Sequence, residues 1–321
     1  MAEHDPDPRL VPSLGSLIRA QFQAQGFSFL HRQPVSSLLA GRRASRIRGR
    51  GLAFEELRGY RPGDDVRQID WRASARTGRT QTRVFTEERD RPILLVVDLT
   101  AATYFGSRHA TKASVIAETA ALASWLGLKF GDRVGAIVFD DHGLEEHRPQ
   151  RSRGAVMRVL GAIASRAAAL PGARPRPSDP GPLNAALRQA EIIVGHDWLV
   201  LIIADFQAWT QPAAQAVGRL ARHNDIIAVP VSDPLDRALP PAPWRGLATA
   251  DGTRVAVLDP ARSGLGAHVE AEHQRRSTAF RLGGIQLETP VLSIGTEEDA
   301  APQLRRMLGG AAAPKLSGGR R

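Results

Sequence analysis

"PILLVVDLT", residues 92–100, is an unbroken apolar run closed by an acid. A strand wetted on one face alternates apolar with polar residues, whereas a strand covered by helices on both faces reads as continuous aliphatic side chains. Residues 92–98 are therefore predicted to be a central strand of a parallel sheet. "DWLVLIIAD" at 197–205 repeats the pattern, closing acid included. Working outward, "RVGAIVF" (133–139), "DIIAVPV" (225–231) and "TPVLSI" (289–294) supply further strands. Helical spacing fills the intervals at 109–129, 152–169, from Leu183, at 210–222, at 263–281 and from 297, with a hairpin around "TADGTRVAVLD" (249–259). Parallel strands joined through helices need right-handed crossovers. The expected class is thus α/β, with a doubly wound, mainly parallel, Rossmann-like sheet.

The text before Pro92 differs. Leu14, Leu17, Ile18 and Phe22 stand at helical spacing, predicting a short amphipathic helix over 13–23 whose apolar face enters the core. From Arg42 onward come Gly-rich turns and short β-like pieces; in "TQTRVFTEE" (80–88) Thr82, Val84 and Thr86 alternate as in a strand, predicting an N-terminal antiparallel β extension. The chain divides accordingly into 1–29, a tail and short helix; 30–91, the β extension; 92–309, the α/β domain; and 310–321, a tail expected to be disordered. Two proline-rich stretches, 170–182 and 232–246, are predicted surface loops.

With 321 residues, 42% of them apolar, the chain can bury a sizeable core. It has no cysteine, which excludes thiolate catalysis, disulfides and thiolate-held metals. The opening "MAEHDPDPRL" does not resemble an export signal, and the longest apolar runs fall far short of the roughly 20 residues that span a bilayer. A cytoplasmic protein without a membrane span is expected. The formal charge of +10 is almost entirely arginine, lysine occurring only at Lys112, Lys129 and Lys315. "RRASRIRGR" (42–50) is a basic stripe, but the text that follows mixes acids among its arginines, which disfavours a nucleic-acid partner.

Ligands of open α/β sheets gather outside the carboxyl ends of the strands, at the point where the winding reverses. Asp98 and Asp205 sit at two such ends; on neighbouring strands both carboxylates would face one hard cation such as Mg²⁺. In "DDHGLEEH", His142 and His147 stand among acids, but an edge hairpin explains them better than a metal site. A second charged stretch is "RGYRPGDDVRQIDWRASAR" (58–76). Pro62-Gly63 presets a turn; Asp64 and Asp65 can accept its amides or cap a following helical turn, Arg58, Arg67, Arg72 and Arg76 can pair with Asp64, Asp65, Asp70 or Glu87, and Tyr60 and Trp71 would supply apolar anchors. An ionic clasp is the expected role, with a partner surface as the alternative. No nucleophile or acid–base arrangement accompanies these acids, so catalysis there is not expected.

"GRGLAFEELRGYRPGDDVRQIDWRASARTG", followed by "RVFTEE" and the strand ending in Asp98, resembles the signature of the bacterial domain-of-unknown-function 58 family, over residues 30–215. That resemblance implies a von Willebrand factor type A-like domain and association with AAA+ ATPases of the MoxR type, and it brings no enzymatic activity. "DLTAA" (98–102) resembles a degraded Asp-x-Ser-x-Ser metal-adhesion motif: Asp98 and Asp205 match its acids, Thr100 can replace the first serine, Ala102 has no oxygen, and the loop threonine aligns with Gly181, near Ser178. A weak Mg²⁺ site of Asp98, Thr100 and Asp205 is implied. The function expected is a non-enzymatic scaffold or adaptor for a MoxR-type ATPase and its client proteins. The alternatives are a metal-dependent hydrolase or nuclease using Asp98 and Asp205, with Asp140 or Asp141, and an arginine-rich nucleic-acid binder.

Overall fold

The computed structural model describes residues 7–27, 29, 52–60, 69–87, 91–173, 178–239, 247–250, 255–258, 264, 266–275 and 289–308. The chain divides into two compact units, Arg42–Asp90 and the remainder, Met1–Gly41 with Arg91–Arg321.

In the smaller unit, strand β1 (Leu52–Gly59) pairs antiparallel with β2 (Gln81–Glu87), in a register that shifts between Phe54 and Glu56. This is the predicted β extension. Between the strands lies helix α2 (Trp71–Thr77), which starts because the Asp70 carboxylate accepts the Ala73 amide at 2.9 Å and ends where Gly78 turns left-handed at φ 68°. Ser74 Oγ accepts the Gln81 amide at 2.8 Å and so ties the helix to β2.

The larger unit is built on a six-stranded sheet: β3 (Pro92–Asp98), β4 (Arg133–Asp140), β5 (Gly143–Gln150), β6 (Leu199–Ala204), β7 (Asp225–Ser232) and a short strand at its edge, Ile294–Gly295. The spatial order is β5-β4-β3-β6-β7 and then Ile294–Gly295, the doubly wound order, with β5 alone antiparallel. Alternation along the strands feeds two cores. Ile93, Leu95 and Val97 of β3 and Leu199, Leu201 and Ile203 of β6 face one; Leu94, Val96, Val200, Ile202 and Ala204 face the other. Each buried aliphatic side chain contributes about 1.5–3 kcal/mol, so the continuous runs stabilise the sheet from both sides.

Helix α3 (Lys112–Lys129) and helix α4 (Arg153–Ala169) cover the first face, and α5 (Pro180–Ile193) and α6 (Gln211–Leu220) the second. Helix α5 begins three residues inside the stretch read as a loop, because Asp179 caps it and Pro180 is compatible with the first helical position. Next come a short helix α7 (Pro234–Arg237), the hairpin β8 (Leu247–Ala250) and β9 (Val255–Leu258), helix α8 (266–275), the edge strand β10 (Ile294–Gly295) and helix α9 (Ala300–Leu308).

Helix α7 forms inside the stretch 232–246 predicted to be a loop, because Asp233 and Asp236 cap it reciprocally, and two further expectations need correction. The N-terminal helix α1 (Leu14–Arg19) tightens into a 3-10 turn over Ala20–Phe22, which rotates Phe22 out of the predicted apolar face and leaves it 71% exposed, while Leu17 is buried. The strand predicted at 289–294 narrows to Ile294–Gly295 with an isolated bridge from Val291 to Ala228. At the amino ends of the strands, Arg91 donates to the Asp225 carboxylate at 2.6 Å and to the carbonyls of Trp198 and Asp197, pinning β3 beside β6 and β7.

Candidate functional site

The winding reverses between β3 and β6, because the chain leaves β3 for β4 on one side and returns to β6 on the other. Val97 pairs with Ile203, so Asp98 at the end of β3 and Asp205 just beyond β6 emerge side by side, as expected of neighbouring strands. Asp98 is buried, and its Oδ1 accepts both the Thr100 amide at 2.9 Å and the Thr100 hydroxyl at 2.7 Å. Burial pushes its carboxyl up to about 7, the charge of Asp205 adds to this, and the Thr100 hydrogen bonds and the charge of Lys112 work against it.

Asp205 is presented by a tight turn. Phe206 holds a left-handed φ of 56°, an outlier for a bulky side chain, and its buried ring packs 5.3 Å from that of Trp209. The Gln207 amide donates to Asp205 Oδ1 at 3.0 Å. Toward Asp205 Oδ2, at 3.4 Å, comes the ammonium of Lys112, the first residue of α3. Lys112 is 1% exposed. Its Nζ also lies 3.4 Å from Asp236 Oδ2 and 5.6 Å from the centroid of the Phe105 ring. Burial by itself would lower its pKa, but Asp205 and Asp236 more than reverse this, so the ammonium is held above the ordinary lysine value.

Asp236 belongs to a capping box at the start of α7: its Oδ2 accepts the Asp233 amide at 2.8 Å, and its Oδ1 accepts Gln207 Nε2 at 3.0 Å. Asp233 is fully buried and accepts hydrogen bonds from neutral donors. The amide and hydroxyl of Ser107 reach it at 2.8 and 2.6 Å, Thr296 Oγ1 at 2.6 Å and the Leu235 amide at 2.9 Å. Burial opposes its charge, yet these hydrogen bonds outweigh that and hold the carboxyl below its usual value. Asp233 thereby fastens the loop after β3 to the ends of β7 and β10.

This donor set does not fit a divalent cation. Mg²⁺ wants oxygen ligands in a near-octahedral shell, whereas here the Asp205 carboxylate is met by an ammonium and an amide, and the Thr100 hydroxyl donates to Asp98. Among the described residues, no group of three or more His, Asp or Glu is arranged to hold a metal. Gly181 and Ser178, where the family motif would place its threonine, lie at and just before the first turn of α5, and Gly181 has no side-chain oxygen to offer.

The acids weighed for a second ion have other partners. Asp140 makes the β4–β5 turn through the amides of His142 and Gly143 and pairs with Arg166 at 2.5 Å; Asp141 accepts the Ala101 amide at 2.7 Å. His142 and His147 lie at the turn and on the edge strand of that hairpin. In the smaller unit, Asp70 caps α2, while Arg72 and Arg76 are exposed on it. Trp71, expected to be an apolar anchor, opens that helix and is 70% exposed. Tyr60 continues β1, its amide bonding the Thr80 carbonyl, and Arg58 lies within β1. Asp64, Asp65 and Arg67 lie outside the described residues, as does the Arg58 side chain.

Lys112, Asp233, Asp236, Ser107 and Thr296 went unread in the sequence. One signal was available for Lys112: in a chain whose cations are nearly all arginine, a lysine directly after the helix-capping Thr111 is conspicuous. "DPLD" (233–236), an acid pair spaced for a capping box after a strand, was the signal for the other two acids.

Residues 56–278 match the model of a family described as "Protein of unknown function DUF58". The chain belongs to this family. This DUF58 chain is 29% identical over 298 residues to the uncharacterized proteins Rv1480 of Mycobacterium tuberculosis and Mb1516 of Mycobacterium bovis, with 91% of this chain and 87% of each relative covered. Among solved structures it is similar to BatB from Bacteroides thetaiotaomicron, at 13% identity and a TM-score of 0.40, covering 68% of this chain and 95% of that one. It is also similar to the SpRpn10 VWA domain, at 7% identity and a TM-score of 0.38, covering 70% and 100% respectively. No helix among the described residues is long and apolar enough to cross a membrane.

Proposed function

We propose that this DUF58 chain is a non-enzymatic protein-interaction module, an adaptor working in the cytoplasm with a MoxR-type AAA+ ATPase in the assembly or maturation of another protein complex. The observation that carries this reading is the state of the switch point. Chemistry in α/β sheets is performed there by groups held ready for a substrate, but here the polar groups answer one another: Asp98 with Thr100, Asp205 and Asp236 with Lys112, Asp233 with Ser107 and Thr296. Around them the loop after β3 exposes Tyr104 and Phe105, side chains suited to a protein contact. The class of partner comes from the family resemblance, and the cysteine-free sequence is compatible with a reducing compartment.

The test is affinity purification of the tagged chain from its native host with ATP turnover blocked. Recovery of an AAA+ ATPase or its substrates, lost in a Tyr104→Ala/Phe105→Ala double variant, is the expected result. Purified chain that instead cleaves phosphodiesters, with the activity gone in Asp98→Ala, would replace the adaptor with a hydrolase.

A further inference from the structure

We propose that the Lys112 ammonium is a tethered replacement for a divalent ion, a cation supplied by the chain itself that holds the carboxyl ends of β6 and β7 together and makes this end of the sheet independent of metal. Three observations converge on it. The ammonium lies between the carboxylates of Asp205, just after β6, and Asp236, just after β7, 3.4 Å from each, with the Lys112 and Asp205 side chains almost wholly buried. It is delivered from the first residue of α3, whose backbone is fixed by the Thr111 cap and by the bond from the Lys112 amide to the Phe105 carbonyl at 2.8 Å. The residue is a lysine in a chain that otherwise uses arginine almost throughout.

The chemistry explains the choice. A guanidinium is a planar fork that needs bidentate partners and room, whereas an ammonium is a compact point charge that can donate in several directions, so it can substitute for a spherical ion between two carboxylates. A buried charge left alone is costly, and Lys112 opposite Asp205 and Asp236 relieves both signs at once. An ion added at Asp205 would have to displace or repel that ammonium. On the adaptor reading, a partner engaging this end of the sheet does so without an ion bridge; the metal-independence itself does not rest on that reading.

The experiment uses the full chain and needs no partner. Mn²⁺ uptake, followed by the electron paramagnetic resonance signal of the free ion, is compared between wild type and Asp205→Asn, and the thermal midpoint of the wild type is read with millimolar Mg²⁺ and with EDTA. Equal uptake and an unmoved midpoint are expected. Uptake that disappears in Asp205→Asn overturns the proposal. A second arm compares Lys112→Met alone with Lys112→Met in the Asp205→Asn/Asp236→Asn background. The single variant should lose on the order of 10 °C, and the triple variant, with no buried charge left unpaired, should recover most of it. If the single variant does not fold, the triple variant decides: folding supports the proposal, and failure to fold overturns it, as does a single variant as stable as wild type.

Discussion

The ammonium of Lys112 stands 3.4 Å from the carboxylate of Asp205, both side chains almost wholly buried, although one opens helix α3 and the other follows strand β6. The Lys112 ammonium lies 3.4 Å from both Asp205 and Asp236. Lys112→Arg keeps the sign but must fit a planar fork against Asp205, Asp236 and the Phe105 ring. It should destabilise the fold by about 1–3 kcal/mol, the usual cost of overpacking, read from urea unfolding at neutral pH. A variant indistinguishable from wild type would show that the site has slack.

Asp98 provides a pH signature. Its carboxyl is raised from 3.8 to about 7 in the fold, so the native state holds a proton that the unfolded chain has released between those values. Stability attributable to Asp98 is therefore complete below about pH 4, falls as pH rises, and is lost above about 7. Asp98→Asn removes this dependence. Urea unfolding from pH 4 to 8 should show wild-type stability declining relative to the variant as pH increases; a flat difference would mean that Asp98 ionises normally.

Asp233 works in the opposite direction. Its carboxyl is held below the ordinary 3.8 by the hydrogen bonds from Ser107, Thr296 and Leu235, so its contribution is present at neutral pH and lost as pH falls through the lowered value. Asp233→Asn should cost about 2–3 kcal/mol at pH 7, the scale of hydrogen bonds to a charged acceptor. The gap should narrow below pH 3.8. Equal stability of the two proteins at pH 7 would show that Asp233 does not hold this loop through its charge.

Gly106 tests the loop that carries Ser107. A Cβ at this position would stand 2.1 Å from the Ala110 carbonyl oxygen, a backbone atom that cannot move without opening the turn leading into α3. Gly106→Ala should lower the thermal midpoint by several degrees and expose the amides of 105–112 to faster hydrogen exchange. Unchanged exchange there would show that the turn relaxes freely.

Much of this protein could be read before its structure. The aliphatic runs at 93–97 and 199–204 are buried on both faces, the parallel strands alternate with helices except where β4 turns directly into the antiparallel edge strand β5, and both acids at the switch point stand at the ends of β3 and β6. Periodicity reports burial, and burial is what arranges sheets and helices. Phe22 shows the limit of that signal: its spacing is helical, but a local change from α to 3-10 geometry turns it outward, and nothing in the apolar pattern marks where a helix tightens.

Local pattern and the polarity of each strand end were enough for the layered α/β class, the order of the parallel strands and their main helices, and the position of Asp98 and Asp205; the edge strand β5 was legible only as a loop or edge hairpin, and helix α7 not at all. The partners of those acids come from folding in three dimensions. The cation comes from the start of α3, and its second carboxylate from the turn after β7. Coulombic and hydrogen-bonded partnerships depend on distances in space across crossovers, and residues such as Lys112, Asp205 and Asp236 carry no spacing in the chain that records those distances.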